Sequence, residues 1–134
     1  MTPFSLKIVT PDGLEFEGQV EELIVRTTTG DLGILAGHLN CVAPLGMGRA
    51  TIIVDGEKRY AACIGGMVSV MNGAVTLVPT TFEWAQDIDL PRAEASYQRA
   101  QAVLSSKSSS DTDIVLAKAR LRRALVRKSV GSAK

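Results

Sequence analysis

One histidine, two cysteines and six aromatic residues among 134 positions leave this chain few of the side chains that enzymes use. His38 is the single imidazole, so no Ser, His and carboxylate set exists without it, and no His/Cys spacing matches a metal site. Cys41 and Cys63 stand apart without a CxxC pattern, and Lys7 and Asp12 interrupt the apolar runs near the start. Together these favour a reduced, cytoplasmic setting without a signal peptide. The most apolar stretch, Ala61 to Met71, is far short of the roughly 20 residues a membrane-spanning helix requires. Six aromatics are also few for the stacking platforms that β-barrels use on single-stranded nucleic acid.

Charge is balanced in sum, at +1, but not along the chain. Through Asp87 there are ten acidic against five basic residues; from Ile88 onward there are four against ten. The same point divides the glycines: eleven of the twelve precede it, together with four of the five prolines. The composition is that of a globular protein, large enough to bury a core without disulfides or metal. Asp87 to Ala93 is thus the joint between two unlike segments, and it carries carboxylate and guanidinium groups side by side.

Before the joint, β-branched and apolar runs alternate with turn dipeptides. Phe4 to Val9 precedes Pro11-Asp12-Gly13, and Val20 to Thr27 precedes Thr29-Gly30-Asp31. Ala50 to Val54 precedes Asp55-Gly56, and Met67 to Met71 is joined by Asn72-Gly73 to Ala74 to Val78. Asp-Gly and Asn-Gly supply the positive φ that tight hairpins need. Short strands at this spacing predict a β-sandwich or barrel over residues 1–87. The glycine-rich segment from Gly30 to Gly37 lacks the Gly-Lys-Ser/Thr ending of a phosphate-binding P-loop and reads as a turn built from positive-φ residues.

After the joint the period becomes helical. Ala93, Tyr97, Ala100 and Leu104 share one face, with Asp89 placed to cap the helix at Arg92 and Pro91 in its first turn. Ser105 to Ser110 is a polar break; a second helix starts at Ser110 or Asp111, with Ile114, Ala117, Leu121 and Leu125 as its apolar stripe. The expected fold class is therefore β + α, an N-terminal β-sandwich or barrel followed by a C-terminal antiparallel two-helix hairpin over residues 88–134. The hairpin's narrow, alanine-rich stripes make it marginal alone.

Three function classes meet these residues. Catalysis by this chain finds no chemistry to use. Nucleic-acid binding has the basic helix of Lys118, Arg120, Arg122, Arg123, Arg127 and Lys128 in its favour, but the acidic β half and the scarce aromatics oppose it. An anion site is the third: Arg92 and Arg99 recur two turns apart on one helix, Arg123 and Arg127 one turn apart on the next. An antiparallel hairpin brings the start of the first near the end of the second, and a polyphosphate would relieve the mutual repulsion through bidentate hydrogen bonds.

Several motifs in order resemble one known family. Val9-Thr10-Pro11-Asp12-Gly13, the run from Gly30 to His38, Gly65-Gly66, and Asp87-Ile88-Asp89 opening a hairpin are similar to the epsilon subunits of bacterial F-type rotary ATP synthases, over the whole chain. The resemblance implies a sandwich that binds the gamma subunit and rests on the c-ring. It implies a hairpin that either folds back or extends towards the alpha and beta catalytic subunits to oppose ATP hydrolysis. Association with the cytoplasmic face of the bacterial membrane would be through the complex alone. Thr28, Gly30, Asp31, Leu32, Gly33 and His38 correspond to the rotor interface. Asn40 departs from the proline usual there.

A subset of the family binds ATP through Ile/Leu-Asp-x-x-Arg-Ala, matched by Ile88, Asp89, Arg92 and Ala93. The resemblance adds Glu83, Arg99 and, with one extra residue in the polar break, Arg123 and Arg127. Trp84 beside Glu83 is atypical of that motif. ATP is implied as a regulatory ligand rather than a substrate, with no metal site and any Mg2+ requirement open. A purely structural stalk coupler without switching is the alternative.

Overall fold

A computed structural model describes residues 1–132 and separates two compact units, one ending at Trp84 and the other starting at Ala85. The expected boundary at Asp87 falls three residues later than this, because Ala85–Asp87 form a 3-10 turn that belongs with the helices.

Eight strands build the first unit: β1 (Phe4–Thr10), β2 (Gly13–Val20), β3 (Glu22–Thr27), β4 (Gly30–Ile34), β5 (Cys41–Pro44), β6 (Met47–Val54), β7 (Glu57–Met71) and β8 (Ala74–Trp84). They hydrogen-bond in the order β2-β1-β8-β7-β6-β3-β4, with β5 on β7. All neighbours are antiparallel except β1 and β8, which run parallel from Ser5 beside Ala74 to Ile8 beside Leu77. The long β7 serves both layers of the sandwich. Its first half pairs with β6 from Glu57 to Ile64, its second with β5 from Met67 to Val70, and β8 pairs with it from Ala61 to Met71.

The change of partner occurs at Gly65-Gly66, where φ is +68° and +96°. A Cβ on Gly66 would overlap the Val78 carbonyl oxygen and lie 2.7 Å from Pro79 Cα, so the strand turns here only because the side chain is absent. Asp55-Gly56 and Asn72-Gly73 adopt the positive φ expected of two-residue hairpins, at 52° and 79° and at 51° and 84°.

The core follows from alternation: Phe4, Leu6 and Ile8 of β1 are buried, while Ser5 and Lys7 between them are exposed. Leu6, Ile8, Val20, Leu23, Val25, Ile34, Ile52, Val68, Val70 and Leu77 join in a single cluster whose members all precede Ala85. At 25 cal/mol per Å2 of apolar surface, each fully buried Leu or Ile contributes about 2 kcal/mol. Trp84 closes the cluster, edge-on to Phe82 at 4.9 Å and to Phe16 at 6.3 Å, with the Arg59 guanidinium 3.8 Å above its ring.

Four strands, β2 to β5, differ from the sequence reading. Gly13–Val20 is a strand, and the run read as one strand from Val20 to Thr27 breaks at Glu21. Gly30–Ile34, read as part of a turn, is a strand paired to β3; only Gly30 and Gly37 of its surrounding segment have positive φ. Short β5 was also missed.

The second unit is an antiparallel hairpin of α1 (Leu90–Ser105) and α2 (Asp111–Gly131). Asp89 caps α1 as expected, its Oδ1 accepting the Arg92 N–H at 3.1 Å with Pro91 in the first turn. Ser110 caps α2: its Oγ accepts the Asp113 N–H at 3.1 Å, and the Asp113 carboxylate accepts the Ser110 N–H at 3.3 Å. Ala93 and Ala100 on α1 and Ala117 and Ala124 on α2 are buried, with Tyr97, Leu104, Ile114 and Leu121 half-buried beside them. Leu125, assigned to the stripe from its spacing, is instead 45% exposed; Ala124, one position earlier, takes its place. At the end away from the connecting turn, a Cβ on Gly131 would meet Leu90 Cδ2 at 2.7 Å and Ile88 Cγ2 at 3.0 Å, which shows how closely α2 ends against the start of α1.

Candidate functional site

The four arginines singled out from the sequence occupy related positions. Arg92 precedes buried Ala93 by one residue, Arg99 precedes Ala100, and Arg123 precedes Ala124. Arg127 precedes Lys128, whose Nζ reaches across to Glu94 of α1. With 3.6 residues per turn, Arg92, Arg99 and Arg123 are rotated about 100° from the stripe between the helices, and Arg127, three residues after Ala124, about 60° in the same sense. Antiparallel partners are related by a two-fold axis normal to the plane of the pair, so rotation in the same sense brings all four to the same flank. Arg92, Arg99 and Arg123 are exposed, and no carboxylate lies within salt-bridge distance of them among the described residues. Arg127 is half-buried and engaged in an interaction.

Other residues of the ATP assignment stand differently. Asp89 is exposed, and its cap at Arg92 leaves Oδ2 as a further acceptor. Ile88 and Ala93 are buried, at 4% and 0% exposure, and consolidate the hairpin rather than its arginine flank. Glu83 is a half-buried residue of β8, in the sandwich unit. The residues do fit a polyanion on one count: three exposed guanidinium groups share a helix flank with a fourth, without acidic neutralisation of the three.

The opposite flank is neutralised. Glu94 follows Ala93, and its carboxylate accepts from Lys128 Nζ at 2.5 Å and from Gln98 Nε2 at 2.9 Å. Lys128 and Gln98 hold the Glu94 carboxyl below its usual range. Lys128 also sits 4.2 Å over the Tyr97 ring. Sequence reading assigned Glu94, Lys128 and Tyr97 no joint role; their convergence needs the helix pairing.

The residues assigned to a rotor interface lie on the β3–β4 hairpin and in the loop that follows β4. Thr28 and Thr29 turn β3 into β4, where Thr27 Oγ1 donates to the Gly30 carbonyl at 2.7 Å and accepts the Thr29 N–H at 3.3 Å. Asp31 pairs with Arg26 at 3.3 Å across the hairpin; Leu32 is half-buried and Gly33 exposed on β4. His38 follows β4 in the loop, its N–H donating to the Leu35 carbonyl at 3.2 Å and its Nδ1 2.8 Å from the Leu39 oxygen. Leu39 beside it is 83% exposed.

Asn40, absent from the set, anchors this loop. Its Oδ1 accepts the Asn72 N–H at 2.8 Å, and its Nδ2 donates to Asn72 Oδ1 at 3.4 Å. The departure from proline thus carries a tertiary clamp, a relation between residues 32 apart that no local signal reveals. Cys63 is buried within the core, and burial pushes its thiol up to about 12, which removes it as a nucleophile. Among the described residues, no three or more His, Cys, Asp or Glu side chains gather as a metal site. No helix of the described residues is long and apolar enough to cross a membrane.

A β-sandwich handing over to an α-helical hairpin is the architecture of the delta and epsilon chains of ATP synthases. The family described as "ATP synthase, Delta/Epsilon chain, beta-sandwich domain" matches residues 3–85, and "ATP synthase, Delta/Epsilon chain, long alpha-helix domain" matches residues 86–130. An ATP synthase epsilon chain of Bacillus subtilis is 45% identical over 114 residues, covering 85% of this chain and 86% of that protein. Another, of Caldanaerobacter subterraneus subsp. tengcongensis, is 38% identical over 130 residues, covering 96% of this chain and 94% of that one. This chain belongs to the bacterial ATP synthase epsilon chain family. Its fold is similar to a chain in the cryo-EM structure of the Euglena gracilis mitochondrial ATP synthase, OSCP/F1/c-ring, with TM-score 0.84 at 21% identity, covering 96% of this chain and 81% of that one.

Proposed function

We propose that this chain is a non-catalytic regulatory subunit of the central stalk, coupling ion-driven rotation to ATP synthesis and sensing ATP through its hairpin. Its partners in this reading are the gamma subunit and c-ring, met by the sandwich through Thr28, Gly30 to Gly33 and His38, and the alpha and beta subunits, met by an extended hairpin. It works at the cytoplasmic face of the membrane, held there by the complex. Full-length likeness to bacterial epsilon chains supports the stalk role.

The arginine flank carries the nucleotide half of the reading. Arg92, Arg99, Arg123 and Arg127 would hold the phosphates of ATP by charge-assisted hydrogen bonds, with Asp89 Oδ2 as an acceptor for its amino or hydroxyl groups. Two of the arginines are on each helix, so only the folded hairpin assembles all four. ATP then favours the folded hairpin by differential affinity, by about 2.7 kcal/mol at a hundredfold excess over Kd. Falling ATP releases the hairpin to its inhibitory form.

Calorimetric titration of the chain with ATP tests this. Measurable binding is expected, weakened about tenfold or more by Arg92→Ala or Arg127→Ala, since each removes hydrogen bonds to a charged group worth about 1.5–3 kcal/mol. Equal and negligible heats in all three proteins would overturn nucleotide sensing. Unchanged ATPase activity of the assembled catalytic sector when the chain ends at Trp84 would overturn inhibition by the hairpin.

A further inference from the structure

The hairpin's two flanks differ in a way that its buried stripe does not require. Ala93, Ala100, Ala117, Ala124 and Gly131 let the helices approach closely, but such small side chains remove little apolar area from water. One directional contact between the helices is centred on Lys128. Its Nζ meets Glu94 Oε2 at 2.5 Å and lies 4.2 Å over the Tyr97 ring. Both partners are held in place by α1 itself: Gln98 Nε2 donates to Glu94 Oε1 at 2.9 Å, and Gln101 Nε2 donates to Tyr97 Oη at 2.9 Å. Gln98 takes one carboxylate oxygen and leaves the other for the lysine. Lys128 is also the one basic residue of the last turn of α2, where the carbonyl ends of the helix favour a cation.

We propose that Lys128, Glu94 and Tyr97 are a latch that fastens the hairpin on the flank opposite the arginines, and that polyphosphate on the arginine flank can substitute for it. The latch follows from geometry alone; its exchangeability with a ligand rests on the nucleotide reading above. Each contact closes the same pair of helices from a different side. The hairpin is therefore held by two fasteners, one built in and one dependent on ligand, and loss of either raises the share of closure that the other must supply.

Amide hydrogen exchange on the full chain distinguishes the parts. Lys128→Met keeps the stem and removes the charge; exchange across α1 and α2 is expected to rise about fivefold, the combined effect of one exposed ion pair and one cation–π contact. The reversed pair Glu94→Lys with Lys128→Glu is expected to recover part of the protection, since it restores the ion pair but neither the cation over Tyr97 nor the favourable charge at the end of α2. Parent-like exchange in Lys128→Met, or no recovery in the reversed pair while the sandwich amides stay protected, would overturn the latch. Saturating ATP is expected to restore protection in Lys128→Met but not in Lys128→Met with Arg92→Ala. Failure of ATP to do so, in a chain whose parent binds ATP by calorimetry, would overturn the exchange of fasteners. If the parent does not bind ATP, the nucleotide reading and the exchange of fasteners fall together, and the latch is judged on the charge variants alone.

Discussion

Gly66 shows how much one missing side chain decides. Its φ of +96° and the place its Cβ would take against Val78 and Pro79 make β7 bend where it passes from one layer to the other. Gly66→Ala is expected to destabilise the sandwich by about 3 kcal/mol or more, from backbone strain plus overlap with main chain that cannot give way. Gly56→Ala has a positive φ but nothing within 4 Å of its Cβ, and should cost only about 1 kcal/mol. Denaturant midpoints of the two variants provide the check; equal losses would mean that the close approach at Gly66 is relieved by movement of β8. Asn40 is the counterpart among polar residues. Its place in the chain is plain from the sequence, but its bonds to Asn72 require β5 to pair beside the end of β7. The arginines lie between these cases, since their spacing on each helix was legible and their common flank was not.

At the scale of elements, the strands that sequence reading missed are those with the least need of apolar alternation. β2 and β4 end the strand order, and they carry Glu15 and Glu17 or two glycines where central strands carry Val, Ile and Leu. Edges blunted by charge resist pairing with other chains and so lose the pattern by which strands are recognised. Helix termini, by contrast, are written locally: Asp89-x-x-Arg92 and Ser110-x-x-Asp113 cap the helices they precede. Ser110→Ala should therefore cost the hairpin about 1 kcal/mol. Faster exchange in the first turn of α2 would register that loss, whereas unchanged exchange there would show the cap to be dispensable. The error at Leu125 has a simple origin, because the i+3 and i+4 positions are both compatible with one helical face and only the partner helix selects Ala124.

At the scale of the whole molecule, every residue of the main core precedes Ala85. A chain ending at Trp84 should keep a cooperative thermal transition, and circular dichroism of that truncation tests it; loss of cooperativity would show that the sandwich depends on the hairpin. A first unit with its own core and a second with alanine-rich packing fit the proposed division between an anchoring part and a regulatory one.

What the sequence determined by itself was the order of classes along the chain, the turns, the helix caps and the family, because these rest on local φ preferences, periodicity and short motifs. The tertiary structure alone decided which lysine meets Glu94, where β7 changes partner and what Asn40 holds. Each of these depends on residues far apart in the chain meeting at distances of a few ångströms. Spacing along one helix or strand does not specify such meetings until its partner is in place.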